Sequence, residues 1–356
     1  MIIRRQNLKL RLALSLAIFF SGSLVSQSHA EMAGGLHFLH KDWELACDNS
    51  GACRAAGYQT DAQIDRPISI LLQRAAGVQS AVAARVKIDP DQLPVKKIIQ
   101  VTLLGRSYGA VALNERTGEG KLTAVQTQAL LQAVQQAEPI TWKAEQGSWS
   151  VSAAGSSAVL LKMDEYQRRL NTASAIVRKG KQPNDGILKV HQLPLIQMKG
   201  YSRGIAKRFN MESAQAKRLR VLLQKTATKD NCASLFDANA SANDQITVYP
   251  LNRKMAVVEA PCWRAAYNEG YGYWVMNSAL TEIRQFVTAS GSSFSEGQIF
   301  SMQKGRGIAD CTTQEEWAWN GRLFVRSYKA VQAQCKGFAR GAWEMPLYIA
   351  RVQTAS

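Results

Sequence analysis

Past its first thirty residues the chain has no apolar run of the ~18–20 residues that a membrane-spanning helix needs. A helical membrane protein is thereby excluded for that stretch. Histidine is scarce, four in 356 residues, with His37 and His40 three apart and His191 alone. In an extended segment, positions three apart face opposite sides, so no shared metal ion is expected. No Cys-x-x-Cys pair occurs, which argues against a thiol redox centre. Five residues separate Cys47 from Cys53, more than the two to four typical of structural zinc sites. There is no Gly-x-Ser-x-Gly elbow, and Ser301-Met302-Gln303-Lys304 has no accompanying Lys-Thr-Gly. Gly305-Arg306-Gly307 reads as a turn, since no Gly-Lys-Ser/Thr follows it. No catalytic residue, metal or cofactor is assigned on these patterns. Acidic residues are also short, 27 against 44 Lys and Arg, for a formal charge of +17.

What is present begins with a leader. Arg4, Arg5, Lys9 and Arg11 precede the apolar Leu12–Phe20, and Ser28-His29-Ala30 offers the small residues of a cleavage site. Residues 1–30 are therefore expected to be a signal peptide, giving an exported protein, periplasmic or secreted. The 46% apolar content is enough to fill cores.

Six cysteines in an exported chain imply a disulfide framework with fifteen pairings. Proximity favours Cys47 with Cys53, Cys232 with Cys262, and Cys311 with Cys335. The chain-entropy relation assigns these rings about 2.4, 3.7 and 3.5 kcal/mol.

Alternation predicts strands over Phe38–Tyr58 with a turn at Asp48–Gly51, then over Ser69–Gln73, Ala81–Ile88 and Lys97–Leu103. Thr123-Ala124-Val125-Gln126 is a capping box opening a helix that buries Leu130, Leu131 and Val134. Asp164-Glu165-Tyr166-Gln167 reads as a second box, with a helix burying Leu170, Ala173 and Val177 and ending at Gly180. In that reading Asp164 is an N-cap, Gln167 its partner, and Arg169 pairs with a carboxylate. A boundary falls at Gln182–Gly186, and a helix is expected over 211–226. Short strands and turns then continue to the end. The expected fold is mainly β (α+β). It comprises an N-terminal β-sandwich-like domain with two helices (31–182), a basic linker with a helix (183–230), and a C-terminal antiparallel β domain (231–356).

Residues 178–229 hold thirteen Lys and Arg against only Asp185 and Glu212, a local charge of +11. Without its leader the chain would carry +13, so the basic character is concentrated there. Lys207, Arg208, Lys217, Arg218, Arg220 and Lys225 are candidate polyanion-binding residues; a solvated helix is the simpler account. Export makes nucleic acid the wrong polyanion. Anionic lipid, lipopolysaccharide and acidic glycan are the reachable ones. Five of eight tryptophans (263, 274, 317, 319, 343) fall in the last hundred residues. Trp317 and Trp319, with Arg322 beside them, are a candidate glycan-stacking platform, against the alternative that they fill a core.

A set of phrases carries a family resemblance. They are Asp42-Trp43, Cys47-Asp48-Asn49, Cys53-Arg54-Ala55-Ala56-Gly57-Tyr58, and Lys162-Met163-Asp164 with Gln167 and Arg169. Further on come Pro261-Cys262, Ala266-Tyr267-Asn268, Gly305-Arg306-Gly307 with Asp310-Cys311, Trp319-Asn320-Gly321 and Cys335-Lys336-Gly337. Together they resemble the bacterial domain of unknown function 1176 family. The first half is also similar to the invasion-associated locus B type of exported domain. Ala266, Ala309 and Arg168 stand where that family has glycine. The resemblance implies export and disulfides and no known activity. The expected function is a non-catalytic envelope protein binding an anionic or glycan-containing partner. The alternatives are a cell-envelope hydrolase or transferase and a structural or assembly factor.

Overall fold

The structure, a computed structural model, describes residues 35–354 apart from 139, 146, 203 and 238–243. The expected leader lies outside the described residues. Among the described residues the protein is mostly β, in several antiparallel sheets with three α-helices and three disulfides.

Strands β1 (Leu36–His40), β2 (Trp43–Cys47), β3 (Cys53–Tyr58), β4 (Ile68–Arg74) and β5 (Ala83–Ile88) form an antiparallel meander. Cys47 and Cys53 face each other in the ladder and are bridged across the Asp48–Gly51 turn, which Gly51 closes at φ 87°. Strands β6 (Ile98–Leu103) and β7 (Arg106–Ala112) leave for a second sheet, and β8 (Glu119–Lys121) returns to pair with β5. Helix α1 (Ala124–Gln135) starts on the expected box: Thr123 accepts from Gln126 N, and the Gln126 side chain accepts from Thr123 N. Strands β9 (Ile140–Ala144) and β10 (Gly147–Val151) complete the second sheet. Trp43, Leu45, Leu72 and Val86 of the first sheet meet Val101 and Trp142 of the second, with Leu130 and Met163 from the helices closing the core.

The second helix corrects the sequence reading. Helix α2 spans Ser156–Tyr166, from Gly155 at φ 98°, so Asp164 and Gln167 lie at its end rather than its start. Its buried stripe is Val159, Leu160 and Met163; Ala173 is exposed and Leu170 half-buried. The pattern Asp-x-x-Gln fits a capping box, but the apolar i, i+1, i+4 stripe precedes it, and a glycine start leaves no side-chain signature.

Strand β11 (Leu195–Met198) is followed by β12 (Lys207–Asn210) and helix α3 (Ala214–Leu223). Part of the segment read as a linker is thus built into the sheet and helix that follow. Strands β13 (Gln245–Pro250), β14 (Met255–Arg264), β15 (Glu269–Asn277) and β16 (Ile283–Gly291) continue from β12 as an antiparallel sheet. A last sheet has β17 (Ser293–Ser295), β18 (Gln298–Lys304), β19 (Thr312–Trp319), β20 (Phe324–Gln332) and β21 (Pro346–Ile349). Strand β22 (Arg351–Thr354) pairs in parallel with β11. Residues 290–297 are largely strand, and most of 237–244 lies outside the described residues. One face of the β12–β16 sheet packs on α3, and the other meets the last sheet through Val257, Tyr273, Trp317, Trp319 and Phe324.

The end of the chain reaches back to the beginning. Phe338, Trp343 and Met345 pack on Ala46, Ala56, Tyr58 and Leu71, the outer face of the first sheet. Trp343 Nε1 donates to Ser69 Oγ at 2.7 Å, and Lys336 Nζ lies 2.8 Å from Asp42 and 2.7 Å from Asp61.

Two of the three positions where the resembled family has glycine are left-handed: Arg168 at φ 55° and Ala309 at φ 58°. A Cβ there costs roughly 1–2 kcal/mol, against about 0.5–1 kcal/mol of extra backbone entropy lost by glycine. Arg168→Gly and Ala309→Gly should therefore each stabilise the fold by about 0.5–1 kcal/mol in urea unfolding. A loss of stability in both variants would count against the strain.

Candidate polyanion-binding surface

Helix α3 is started by Ser213, whose side chain accepts from Ala216 N. Ala216, Leu219 and Leu223 recur at helical spacing and insert into the core beneath the β12–β16 sheet. The same periodicity turns Lys217, Arg218, Val221 and Lys225 to solvent as one stripe. Lys217 Nζ is 3.1 Å from Glu212 Oε2, and both groups are well exposed, so water screens the pair.

The structure places the six basic residues on different elements and faces. Arg220 is half-buried and donates to the carbonyl oxygens of Leu235 and Asp237, which makes it a tie within the fold. Lys207 and Arg208 are consecutive on the edge strand β12 and project to opposite faces. Lys207 shares its side with Phe209, which packs toward the α3 core. Arg208 lies on the other side, near Tyr249, whose pKa burial and Glu259 push up to about 12 while Arg208 opposes the shift. Lys207 and Arg208 are also exposed, but on β12; Lys217, Arg218 and Lys225 form the solvent-facing group on and just after α3. Beside them a shallow groove of about 610 Å³ runs between α3 and the Ala279–Thr281 turn, with Val221, Leu222 and Leu280 among its walls. The sequence reading missed Val221, which is 60% exposed; its spacing of four from both Lys217 and Lys225 was the available signal.

The tryptophan platform is overturned. Trp317 is 7% exposed and Trp319 fully buried, both in the core between the last two sheets, while Arg322 sits on the exposed turn that Asn320 organises. Two sheets packed face to face bury the indoles that a single sheet would have exposed.

Asp164, Gln167 and Arg169 form a buried hub with Arg74. Arg74 donates to Asp164 Oδ1 and Gln167 Oε1, each at 2.6 Å. Asp164 Oδ2 accepts from the amides of Ile176 and Val177 at 2.7 and 3.0 Å. Gln167 Nε2 donates to the carbonyls of Gly51 and Arg74. Arg169 donates to Ser174 Oγ and Gly77 O rather than to a carboxylate. Burial lowers the pKa of Arg74 against the opposing pull of Asp164, and lowers that of Arg169 to about 10, helped by Arg74. The hub ties the bridged turn, β4 and the chain after α2 into one unit.

Among the described residues, one cluster has metal-ligand chemistry: Asp310, Cys311 and Cys335. Its two sulfurs are bonded to each other, and Asp310 accepts from Arg306 and from Gly337 N. The other two bridges join Cys47–Cys53 and Cys232–Cys262, the sequence-nearest pairs throughout.

The family described as "Protein of unknown function (DUF1176)" matches residues 37–350. The chain belongs to that family. A curated relative, the Uncharacterized protein YpfG of Escherichia coli (strain K12), is 23% identical over 332 residues, covering 83% of this chain and 87% of that one. Among solved structures, invasion associated protein B from Bartonella henselae aligns with 37% of this chain and 99% of its own, at 13% identity and a TM-score of 0.28. Across this DUF1176 member, several of the phrases that carry the likeness fall on the bridged turn, the buried hub and the Cys311–Cys335 loop, and others on β14, the turn after it and the end of β19.

Proposed function

We propose that this DUF1176 protein is an exported, non-catalytic component of the bacterial envelope that adsorbs to an anionic lipid surface through the outer face of α3. The observation that carries the reading is the solvent-facing stripe of Lys217, Arg218 and Lys225 around the exposed Val221. Three disulfides suit an oxidising compartment, and none of the described helices is long and apolar enough to cross a membrane. The core beneath holds the stripe in place, so little ordering entropy opposes contact. Val221 and Leu280 would supply modest apolar contact with the headgroup boundary.

Each cation near such a surface contributes about 1 kcal/mol. The variant Lys217→Gln/Arg218→Gln/Lys225→Gln should therefore bind phosphatidylglycerol-containing vesicles about a hundredfold more weakly in co-sedimentation, with its melting temperature unchanged. Arg220 is left alone because it ties down backbone carbonyls. Wild-type protein that ignores such vesicles at low salt, where screening is least, would overturn the reading.

A further inference from the structure

Alternation along four neighbouring strands sets up a second polar surface, far in sequence from α3. The register pairs Arg54 with Gln73, Leu71 with Arg85, and Lys87 with Glu119, so these side chains share the outer face of the first sheet. The inner face of the same strands is filled by the apolar core. The chain end covers the apolar part of the outer face, where Trp343 and Phe338 sit on Ala56 and Leu71. The charged part is only partly covered: the Arg85 side chain is 39% exposed, while Arg54 and Lys87 are 16% exposed. It forms one wall of a cleft of about 470 Å³, whose other wall comes from β19, β20 and residues 340–344. That volume suits a small ligand, and junctions between packed layers of a chain are common places for one.

Cations outnumber acids on these walls. Arg54, Arg85, Lys87 and Arg340 face only Glu119 and Glu344. Glu119 is shared by Arg85 at 3.4 Å and Lys87 at 3.7 Å, and Glu344 accepts from the Tyr328 hydroxyl. Arg54 is held on the buried Asp48 at 2.7 Å. Lys87 Nζ also donates to Ala342 O at 2.8 Å, and burial lowers its pKa. Arg340 is exposed at the rim and makes no ion pair among the described residues. It is held at φ 68° and followed by Gly341 at φ 85°, a left-handed pair that carries the chain over the cleft. A non-glycine residue in that conformation is costly, and the same conformation recurs at nine other non-glycine positions among the described residues. Between the cations stand Gln73, whose Oε1 accepts from Arg85 at 3.1 Å, Gln314, whose Nε2 donates to Glu316 at 2.8 Å, and the hydroxyl of Thr312. The Gln73 Nε2, the Gln314 Oε1 and the hydroxyl are suited to sugar hydroxyls. Trp343 is only 4% exposed, so its ring is closed to stacking and recognition must be polar.

We propose that this cleft binds an acidic saccharide, its carboxylate taken by Arg340 and Arg85 and its hydroxyls by Gln73, Gln314 and Thr312. The site is separate from the α3 face and does not depend on it.

The test is calorimetric titration of the oxidised protein with trigalacturonate, N-acetylneuraminate and N-acetylmuramate, with maltotriose as the neutral control. At least one acidic sugar should bind and maltotriose should not. Arg340→Ala, at an exposed position, should weaken binding at least tenfold, as expected for loss of a hydrogen bond between charged groups. Arg85→Gln should give a comparable loss. The α3 triple variant should bind as wild type. The proposal is overturned if no acidic sugar binds, if Arg340→Ala binds unchanged, if inorganic phosphate displaces the sugar at equal concentration, or if the α3 variant loses binding equally.

Discussion

Asp164→Ala should destabilise the protein by about 3–5 kcal/mol, read as a lower urea midpoint at unchanged slope. Asp164 and Arg74 are paired at 2.6 Å with side-chain exposures of 0% and 1%, so removing the carboxylate leaves a guanidinium buried without a counter-charge. The amides of Ile176 and Val177 lose their acceptor in the same step. Arg169 aggravates the deficit, because a second buried cation then stands near Arg74 with no acid between them. Asp164→Asn keeps the shape and an acceptor oxygen but not the charge. It should recover only the part owed to the two amides. The double variant Arg74→Met/Asp164→Leu should be less damaging than the sum of its single changes, since apolar replacement of a buried pair is often tolerated. A single-variant loss under 1 kcal/mol would show that the pair is not the anchor its burial suggests.

Replacing Cys311 and Cys335 by serine should cost about 3.5 kcal/mol from the 24-residue separation, with a local consequence the other bridges lack. Next to Cys335, Lys336 reaches Asp42 and Asp61, and its carbonyl accepts from Gln59 Nε2 at 2.7 Å. Gly337 N donates to Asp310, and Arg306 donates to Cys335 O. The segment from Phe338 to Leu347 then seals the outer face of the first sheet. Opening the bridge should therefore accelerate proteolysis within residues 336–345 as well as lower the unfolding free energy. Serine at Cys47 and Cys53 should cost only about 2.4 kcal/mol and leave that segment protected, because strand pairing already closes the hairpin. Equal proteolysis in both double variants would refute a role for Cys311–Cys335 in holding the chain end.

Most of what was readable in the sequence is local. The Thr123–Gln126 box, the Asp48–Gly51 turn and the six cysteines each report on neighbours within a few tens of residues, and each is found as the pattern suggested. The family phrases were readable too, but the work of their residues was not. Asp164 lies 90 positions from the arginine it pairs with, and no spacing rule links them. Arg54, Arg85 and Arg340 meet only because alternation on one sheet is combined with the return of the chain end.

The sequence by itself determined that the chain is β-rich and where its positive charge is concentrated, and it favoured the cysteine pairing that is found, since period-two patterning, composition and proximity act over short distances. Tertiary structure decided which faces stay wet. It buried Trp317 and Trp319 between two sheets, turned Arg220 inward to backbone carbonyls, and brought Arg54, Arg85, Lys87 and Arg340 to one cleft beside Glu119. Alternation assigns a residue to a side of its strand, but only packing decides whether that side meets solvent, because burial depends on what a distant segment lays against it.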